Sequence, residues 1–278
     1  MLTIDPKNQK TSLVHKYILG AVAPRPIAFA STIDSDGNVN LSPFSFFNAF
    51  SANPPILIFS PARRVRGNTI KHTLENVSEN KEVVISIVTA EMAQQVSLSS
   101  CDFGKGVNEF KKAGFTAVQS ENIKPFLVKE SPVNFECKVN DIVALGEEGG
   151  AGNLVICEVL KIHIDESILD EDNNIDPLKL NPLSRLGGNW YGKATEDSLF
   201  QITKPIGKIG IGFDNLPEEI RRSSILSGSE LALLASFEEI PTKTDFLERD
   251  GKNTIEKHTL AKKYLSQGDL NAAWQVLL

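Results

Sequence analysis

Basic and hydroxyl side chains are concentrated in one short segment, residues 60–73, which leads into a predicted helix. The side chains in it that could bind a phosphate are Ser60, Arg63, Arg64, Arg66, Thr69, Lys71 and Thr73. The start of a helix carries unpaired N–H groups and a partial positive charge, so cations and hydroxyls placed there are suited to binding an anion. The segment is therefore a candidate phosphate site. The alternative is a solvated basic loop.

A second set of polar residues interrupts an aromatic and apolar stretch at 40–50. Its members are Asn40, Ser42, Ser45 and Asn48, set among Phe44, Phe46, Phe47 and Phe50. Burial of a polar group without a partner is costly, so a planar ligand with polar edges lying across the strand would explain this pattern. A core strand whose polar side chains face water or neighbouring backbone explains it equally well.

Other chemistries find no support in the residues. The chain lacks the G-x-S-x-G elbow of serine hydrolases, a P-loop and a strand-linked G-x-G-x-x-G. Its cysteines form no C-x-x-C pair and its histidines are scattered, so no metal site is expected. His163, near the end of an apolar strand pattern, has no specific role on the residues alone.

The charge and the apolar pattern indicate where the protein works. The net charge is −6, and the basic cluster of Arg63, Arg64 and Arg66 is too short to follow a nucleic-acid backbone, which argues against nucleic acid as a partner. The polar segment 1–10 does not resemble a signal peptide, and no apolar run is long enough to span a membrane. We therefore expect a cytoplasmic protein.

The elements that must position these residues are predicted to be mainly antiparallel strands. The strand patterns cover 27–33, 39–47, 56–60, 83–88, 133–145 and 154–164, with 15–23 also extended. The helical patterns cover 69–78, 91–100 and 109–113. Long strands joined by hairpins, such as the one that turns at 34–37, favour an antiparallel barrel over a doubly wound sheet.

The composition changes after about residue 210. Helical patterns begin at 216, at 230 and at 255, and Ser266–Asp269 is typical of a helix end followed by a new cap. We therefore predict two regions, a β domain at 1–210 and a helical extension at 211–278.

The order of short motifs in the first region resembles that of the flavin reductase-like, FMN-binding split-barrel family, which includes the flavoredoxins. The motifs are Pro24-Arg25-Pro26, Ala30-Ser31-Thr32, the run Asn40 to Asn48, Pro54-Pro55, Lys71-His72-Thr73, Glu130-Ser131-Pro132, Phe135-Glu136-Cys137 and Gly187-Gly188 with Tyr191. The resemblance covers roughly residues 12–205. One departure is His72, where the family usually has Asp.

This resemblance implies a six-stranded antiparallel split β-barrel of Greek-key type with flanking helices, which dimerises and binds FMN non-covalently near the subunit interface. Residues implied to lie along the flavin or its ribityl chain are Arg25, Ala30, Ser31, Thr32, Asn40, Ser42, Pro43, Phe44, Ser45, Phe47 and Asn48. Residues implied to hold the phosphate are Ser60, Arg66, Lys71 and Thr73. His163 matches a histidine near the nicotinamide or flavin site and is the implied catalytic residue.

Three functions are compatible with such a protein. The first is an FMN-dependent oxidoreductase that takes electrons from NAD(P)H, bound transiently, and reduces free flavin or a partner. The second is a flavoprotein oxygenase that acts on an organic substrate. The third is a non-enzymatic FMN-binding electron carrier. A flavin supplies its own redox chemistry, which accounts for the lack of a catalytic triad or paired carboxylates.

Overall fold

A computed structural model describes residues 1–278, which form two compact units. The N-terminal unit is Met1–Phe200 and the C-terminal unit is Gln201–Leu278. No helix in the chain has both the length and the apolar character needed to cross a membrane.

The N-terminal unit consists of strands with helices between them. Its strands are β1 (Ala28–Ile33), β2 (Val39–Phe44), β3 (Phe47–Ala52), β4 (Pro55–Phe59), β5 (Glu82–Ile87), β6 (Ala117–Val118), β7 (Leu127–Val128), β8 (Val133–Ala144), β9 (Asn153–Ile164), β10 (Ser184–Arg185) and β11 (Tyr191–Gly192). Its helices are α1 (Thr11–Ala21), α2 (His72–Asn80), α3 (Ala93–Ser99), α4 (Glu109–Ala113) and α5 (Pro177–Leu180).

The main sheet has seven strands in the order β2-β1-β5-β8-β9-β4-β3, and every neighbouring pair is antiparallel. Its longest element is the β8–β9 hairpin. Along β9, more buried and less buried residues alternate because successive side chains point to opposite faces, whereas register shifts interrupt this pattern in β8. The two hairpins predicted from the sequence, β1–β2 and β8–β9, are confirmed.

The sheet curls around one apolar core. Residues from β1, β4, β5, β8 and β9 face this core together with Leu74 and Val77 of α2. Phe44 on β2 packs against Phe59 on β4, with ring centroids 5.3 Å apart, although β2 and β4 are far apart in the strand order. A second apolar cluster, which includes Phe29, Leu41 and Phe110, packs α3 and α4 against the other face.

The prediction of a six-stranded barrel is wrong in strand number and in closure. The predicted strand 39–47 breaks at Ser45–Phe46, so that β2 and β3 become separate strands. The break lets the chain pass from one edge of the sheet, which is β2, to the opposite edge, which is β3. Because the two edges do not pair with each other, the sheet remains open. The mainly β class with flanking helices is confirmed.

The prediction of an extended segment at 15–23 is also wrong, because helix α1 covers most of it. The apolar residues Leu13, Val14, Tyr17 and Ile18 recur at helical spacing, but none of them is buried. Arg25 follows the helix, and its guanidinium donates hydrogen bonds to the carbonyls of Leu19 and Val22. A cation at that end stabilises the partly negative C-terminus of the helix.

The C-terminal unit is helical. Its helices are α6 (Glu218–Arg221), α7 (Gly228–Ala235), α8 (Thr254–Ser266) and α9 (Leu270–Leu277). The fully buried Trp274 packs at the centre of its apolar cluster. The predicted new cap is confirmed, since the Asp269 carboxylate accepts from the Ala272 N–H at the start of α9. Helices α6 to α9 all lie within 211–278, the region that carries the helical sequence patterns.

A buried histidine makes the stability of the C-terminal unit depend on pH. His258 is buried on α8, and its Nδ1 lies 2.8 Å from Ser223 Oγ. Burial lowers the pKa of His258 below its ordinary value of 6.5, with Glu219 acting against this shift and Lys257 adding to it. The unfolded chain therefore takes up a proton that the folded unit resists, and stability is lost as the pH falls from about 6.5.

We expect the urea concentration at the unfolding midpoint of this unit to decrease when the pH is lowered from about 7.5 to about 5.5. The variant His258→Gln should lose most of this pH dependence. Fluorescence of Trp274 measures the transition, because the other tryptophan, Trp190, is 76% exposed in the N-terminal unit. An identical pH dependence in the variant would show that other groups are responsible.

Candidate functional site

An open cleft lies where β2, the start of α2 and the loop after α3 meet. Its lining is almost entirely polar or charged. The lining residues are Asn40, Ser42, Arg64, Lys71, His72, Thr73, Ser99, Cys101, Asp102, Phe103 and Glu109. A second, smaller cleft shares Asn40 and His72 with the first and adds Asn38 and Lys105. We call the larger of the two the α2 cleft.

The N-terminal end of α2 opens into this cleft. The helix begins at His72, and Lys71 at the cap position provides no side-chain capping hydrogen bond. The first N–H groups of a helix lack partners within it and carry partial positive charge. The α2 cleft therefore contains backbone donors suited to an anion.

Two cations reinforce this end of the helix. The guanidinium of Arg64 is held by Thr69 Oγ1 at 3.1 Å and by the Ile70 carbonyl at 2.7 Å. Its remaining nitrogens, Nε and Nη2, lie 3.3 and 3.2 Å from Asp102 Oδ1. Lys71 Nζ lies 3.7 Å from the same oxygen. The hydrogen bond to Arg64, together with the charges of Lys71 and Arg64, lowers the pKa of Asp102.

A buried polar network forms the wall of the cleft behind Thr73. Asn40 donates to Thr73 Oγ1 at 2.8 Å and to Thr32 Oγ1 at 3.4 Å, and Asn76 donates to Thr32 Oγ1 at 3.0 Å. Because the Thr73 oxygen accepts from Asn40, its own hydrogen stays available to a ligand. The network fixes Asn40 and Thr73 in position.

Glu109 places a buried carboxylate at the same cleft. Its Oε2 accepts from the Leu41 N–H at 3.0 Å, which satisfies a backbone donor on the outer side of edge strand β2. Burial raises the pKa of Glu109, although the hydrogen bond from Leu41 opposes the shift. Glu109 therefore adds a carboxyl of raised pKa beside Asn40 and Ser42.

The structure brings four of the predicted cofactor residues together in the α2 cleft, namely Asn40, Ser42, Lys71 and Thr73. Thr32 contacts the cleft only through the amides of Asn40 and Asn76. Of the residues outside its lining, Ala30, Ser31, Phe44 and Ser60 are buried, Pro43, Ser45 and Phe47 are half-buried, and Asn48 and Arg66 are exposed. The Ser31 hydroxyl is buried without a hydrogen-bond partner.

Arg25 lies apart from this cleft and is engaged with the protein itself. Besides the carbonyls at the end of α1, its guanidinium donates to the Leu186 carbonyl at 3.1 Å, and its Nε lies 3.5 Å from Ser45 Oγ. These contacts join the end of α1, the segment after β10 and the β2–β3 bend. They show Arg25 in a structural arrangement, with Ser45 as one of its partners.

His163 also lies outside the lining of the α2 cleft, near the end of β9. Its Nε2 is 2.7 Å from Oε1 of the fully buried Glu136, which also accepts from the N–H groups of Glu121 and Asn122. Burial alone would raise the pKa of Glu136, but these hydrogen bonds outweigh it and the pKa is lowered. The pair fixes the orientation of the His163 ring.

Several residues of the cleft could not be selected from the sequence. Arg64 was one of three arginines in the basic segment, and only its position identifies it as the arginine of the cleft. Asp102 lies 38 residues along the chain from Arg64, and Glu109 lies 68 residues from Leu41. No local pattern signals contacts of that kind.

The donor set of the α2 cleft fits a phosphate ester. Two cations, the uncapped start of α2 and the hydroxyl of Thr73 line the same cleft. One carboxylate oxygen in it, Asp102 Oδ1, already contacts both cations. Charge-assisted bonds of this kind are the ones that hold phosphates in proteins. The phosphate of a flavin mononucleotide is compatible with this arrangement.

Comparison with known proteins identifies the class. The model of the flavin reductase-like domain matches residues 20–182. An uncharacterized protein of Aquifex aeolicus is 40% identical over 181 residues, which are 65% of this chain and 90% of that protein. Nitrilotriacetate monooxygenase component B from Bacillus cereus has a similar structure, with a TM-score of 0.68 and 30% identity over 73% of this chain and 98% of that one. The structure of the 2-nitrobenzoate 2-nitroreductase of Pseudomonas fluorescens is also similar, with a TM-score of 0.66 and 25% sequence identity over 76% of this chain and 100% of that one.

The chain therefore belongs to the flavin reductase-like family, which confirms the resemblance seen in the sequence motifs. Membership of this family implies a flavin as ligand and an oxidoreductase as the class of enzyme.

Proposed function

We propose that the protein binds FMN non-covalently and acts as an NAD(P)H-dependent oxidoreductase that reduces free flavin or passes electrons to a partner protein. The observation that carries the proposal is the convergence of Arg64, Lys71 and Thr73 on the uncapped start of α2. Family membership supports the flavin, and this cluster supports a flavin with a phosphate group.

Each residue of the cleft has a distinct task in this proposal. Arg64, Lys71 and the first N–H groups of α2 would hold the phosphate, and Thr73 would donate its hydroxyl hydrogen to it. Asn40 and Ser42, on edge strand β2, would border the rest of the ligand. Bound flavin supplies the hydride chemistry, while the protein supplies binding and orientation.

The experiment that tests the proposal is a visible absorption spectrum of the purified protein under anaerobic conditions, recorded alone, then with FMN, then with NADH or NADPH. We expect a bound flavin spectrum that bleaches on addition of the nicotinamide. A bound flavin that does not bleach would indicate an electron carrier instead of an NAD(P)H-dependent reductase. In a separate aerobic assay, oxygen consumption that depends on an added organic substrate would point to an oxygenase. Absence of FMN binding would overturn the proposal.

For His163 we propose a role in the reaction at the nicotinamide or flavin site, based on its match to the family histidine. His163→Gln keeps a hydrogen-bond donor for Glu136 but cannot carry a proton at neutral pH. We expect kcat for NAD(P)H oxidation to fall by roughly tenfold or more, with the Kd for FMN unchanged. An unchanged kcat would leave His163 with the structural task of pairing with Glu136.

We also propose that the protein works as a homodimer. Apolar side chains are exposed on α1 and directly after it, where Tyr17, Ile18 and Val22 are 44 to 60% exposed. Burial of such side chains against a second copy would remove them from water. Light scattering coupled to gel filtration measures the mass, and a monomer at micromolar concentration would contradict this.

A further inference from the structure

Asp102 occupies the position in the α2 cleft that an anionic ligand would take. One of its oxygens, Oδ1, contacts Arg64 Nη2 at 3.2 Å and Lys71 Nζ at 3.7 Å. Its neighbours in the loop after α3, Cys101 and Phe103, also line the cleft. The protein thus places its own carboxylate on the two cations that a phosphate would need.

This contact contributes little to the fold. The Asp102 side chain is 73% exposed, and its partners are 26 and 32% exposed. Ion pairs at such exposed sites add little to folding stability, because water and salt screen them. Arg64 is in any case held in place by Thr69 and Ile70 without Asp102. The effect of the carboxylate is therefore on the cleft.

We propose that Asp102 is an internal competitor for the flavin phosphate and that it sets the affinity of the site. The inference rests on the proposed function. A phosphate can reach Arg64 and Lys71 only if the carboxylate moves away, and a carboxylate that stays nearby repels the phosphate. Binding is weakened on both counts, so FMN exchanges with solution as a substrate would.

The test uses Asp102→Asn, which keeps the size of the side chain and one acceptor oxygen but removes its charge. FMN and riboflavin, which differ only in the phosphate, are titrated by fluorescence quenching into the parent protein and the variant. We expect the Kd for FMN to fall by about threefold to tenfold in the variant, with the Kd for riboflavin unchanged.

A matched control separates this local competition from a general change in charge. Glu75 on α2 also pairs with a lysine, Lys105, at 3.6 Å, but it does not line the α2 cleft. We expect Glu75→Gln to leave the ratio of the two flavin affinities unchanged.

The outcomes distinguish the competitor role of Asp102 from the proposed function of the protein. If the parent protein binds FMN and Asp102→Asn binds it equally well, the competitor role is overturned and the proposed function stands. An equal decrease in the Kd values for FMN and riboflavin would also overturn the competitor role, because the effect would not involve the phosphate. If neither protein binds FMN, both proposals are overturned.

Discussion

Replacement of both Lys71 and Thr73 by alanine is expected to weaken FMN binding by at least about 100-fold. Lys71 would make a charge-assisted contact to the phosphate, and Thr73 holds a free hydroxyl hydrogen in the same cleft. Each such hydrogen bond to a charged group contributes about 1.5–3 kcal/mol. Isothermal titration calorimetry with FMN measures the loss.

Riboflavin and a second basic residue provide the controls for this experiment. Riboflavin lacks the phosphate, so its affinity should stay close to that of the parent protein. Arg66 belongs to the same basic segment but lies exposed outside the α2 cleft, so Arg66→Ala should have little effect on either flavin. Equal losses for Arg66→Ala and for the double variant would indicate that the basic loop as a whole attracts the anion.

A loss of folding must be distinguished from a loss of binding in the double variant, because Thr73 is buried and accepts a hydrogen bond from Asn40. Thr73→Ser keeps the hydroxyl, and we expect it to restore most of the affinity lost on Thr73→Ala. Tight FMN binding by a correctly folded double variant would contradict the assignment of the phosphate to this cleft.

Phe59→Ala is expected to destabilise the N-terminal unit by about 3–5 kcal/mol. Phe59 is fully buried on β4 and packs against Phe44 on β2, so its removal leaves a cavity in the apolar core between these two strands. Urea unfolding followed by circular dichroism measures the loss, and Trp274 fluorescence separates the transition of the C-terminal unit.

Phe50→Ala is the matched control on the neighbouring strand β3. Phe50 is 63% exposed, so its truncation should change the free energy of unfolding by no more than about 0.5 kcal/mol. Similar losses for Phe50 and Phe59 would show that the core does not lie on the inner face of the curled sheet.

Much of the fold was predictable from local patterns. The β8–β9 hairpin follows from alternating apolar residues on both sides of a glycine-rich turn, and α2 from apolar residues at helical spacing. The two exceptions are α1, whose apolar residues remain partly exposed, and the break at Ser45–Phe46. That break depends on where β3 finds its partner β4, which a local pattern does not specify.

The candidate site was likewise predictable only in part. Motif order alone indicated the family, and the composition of the segment 60–73 indicated a phosphate site near the start of a helix; the segment contains Lys71 and Thr73. Tertiary structure was needed to select Arg64 over Arg66 and to bring Asp102 and Glu109 to the same cleft. The reason is physical: helix and strand periodicity, caps and turns act over a few residues, whereas the charge balance of a cleft depends on side chains that meet only after the chain has folded.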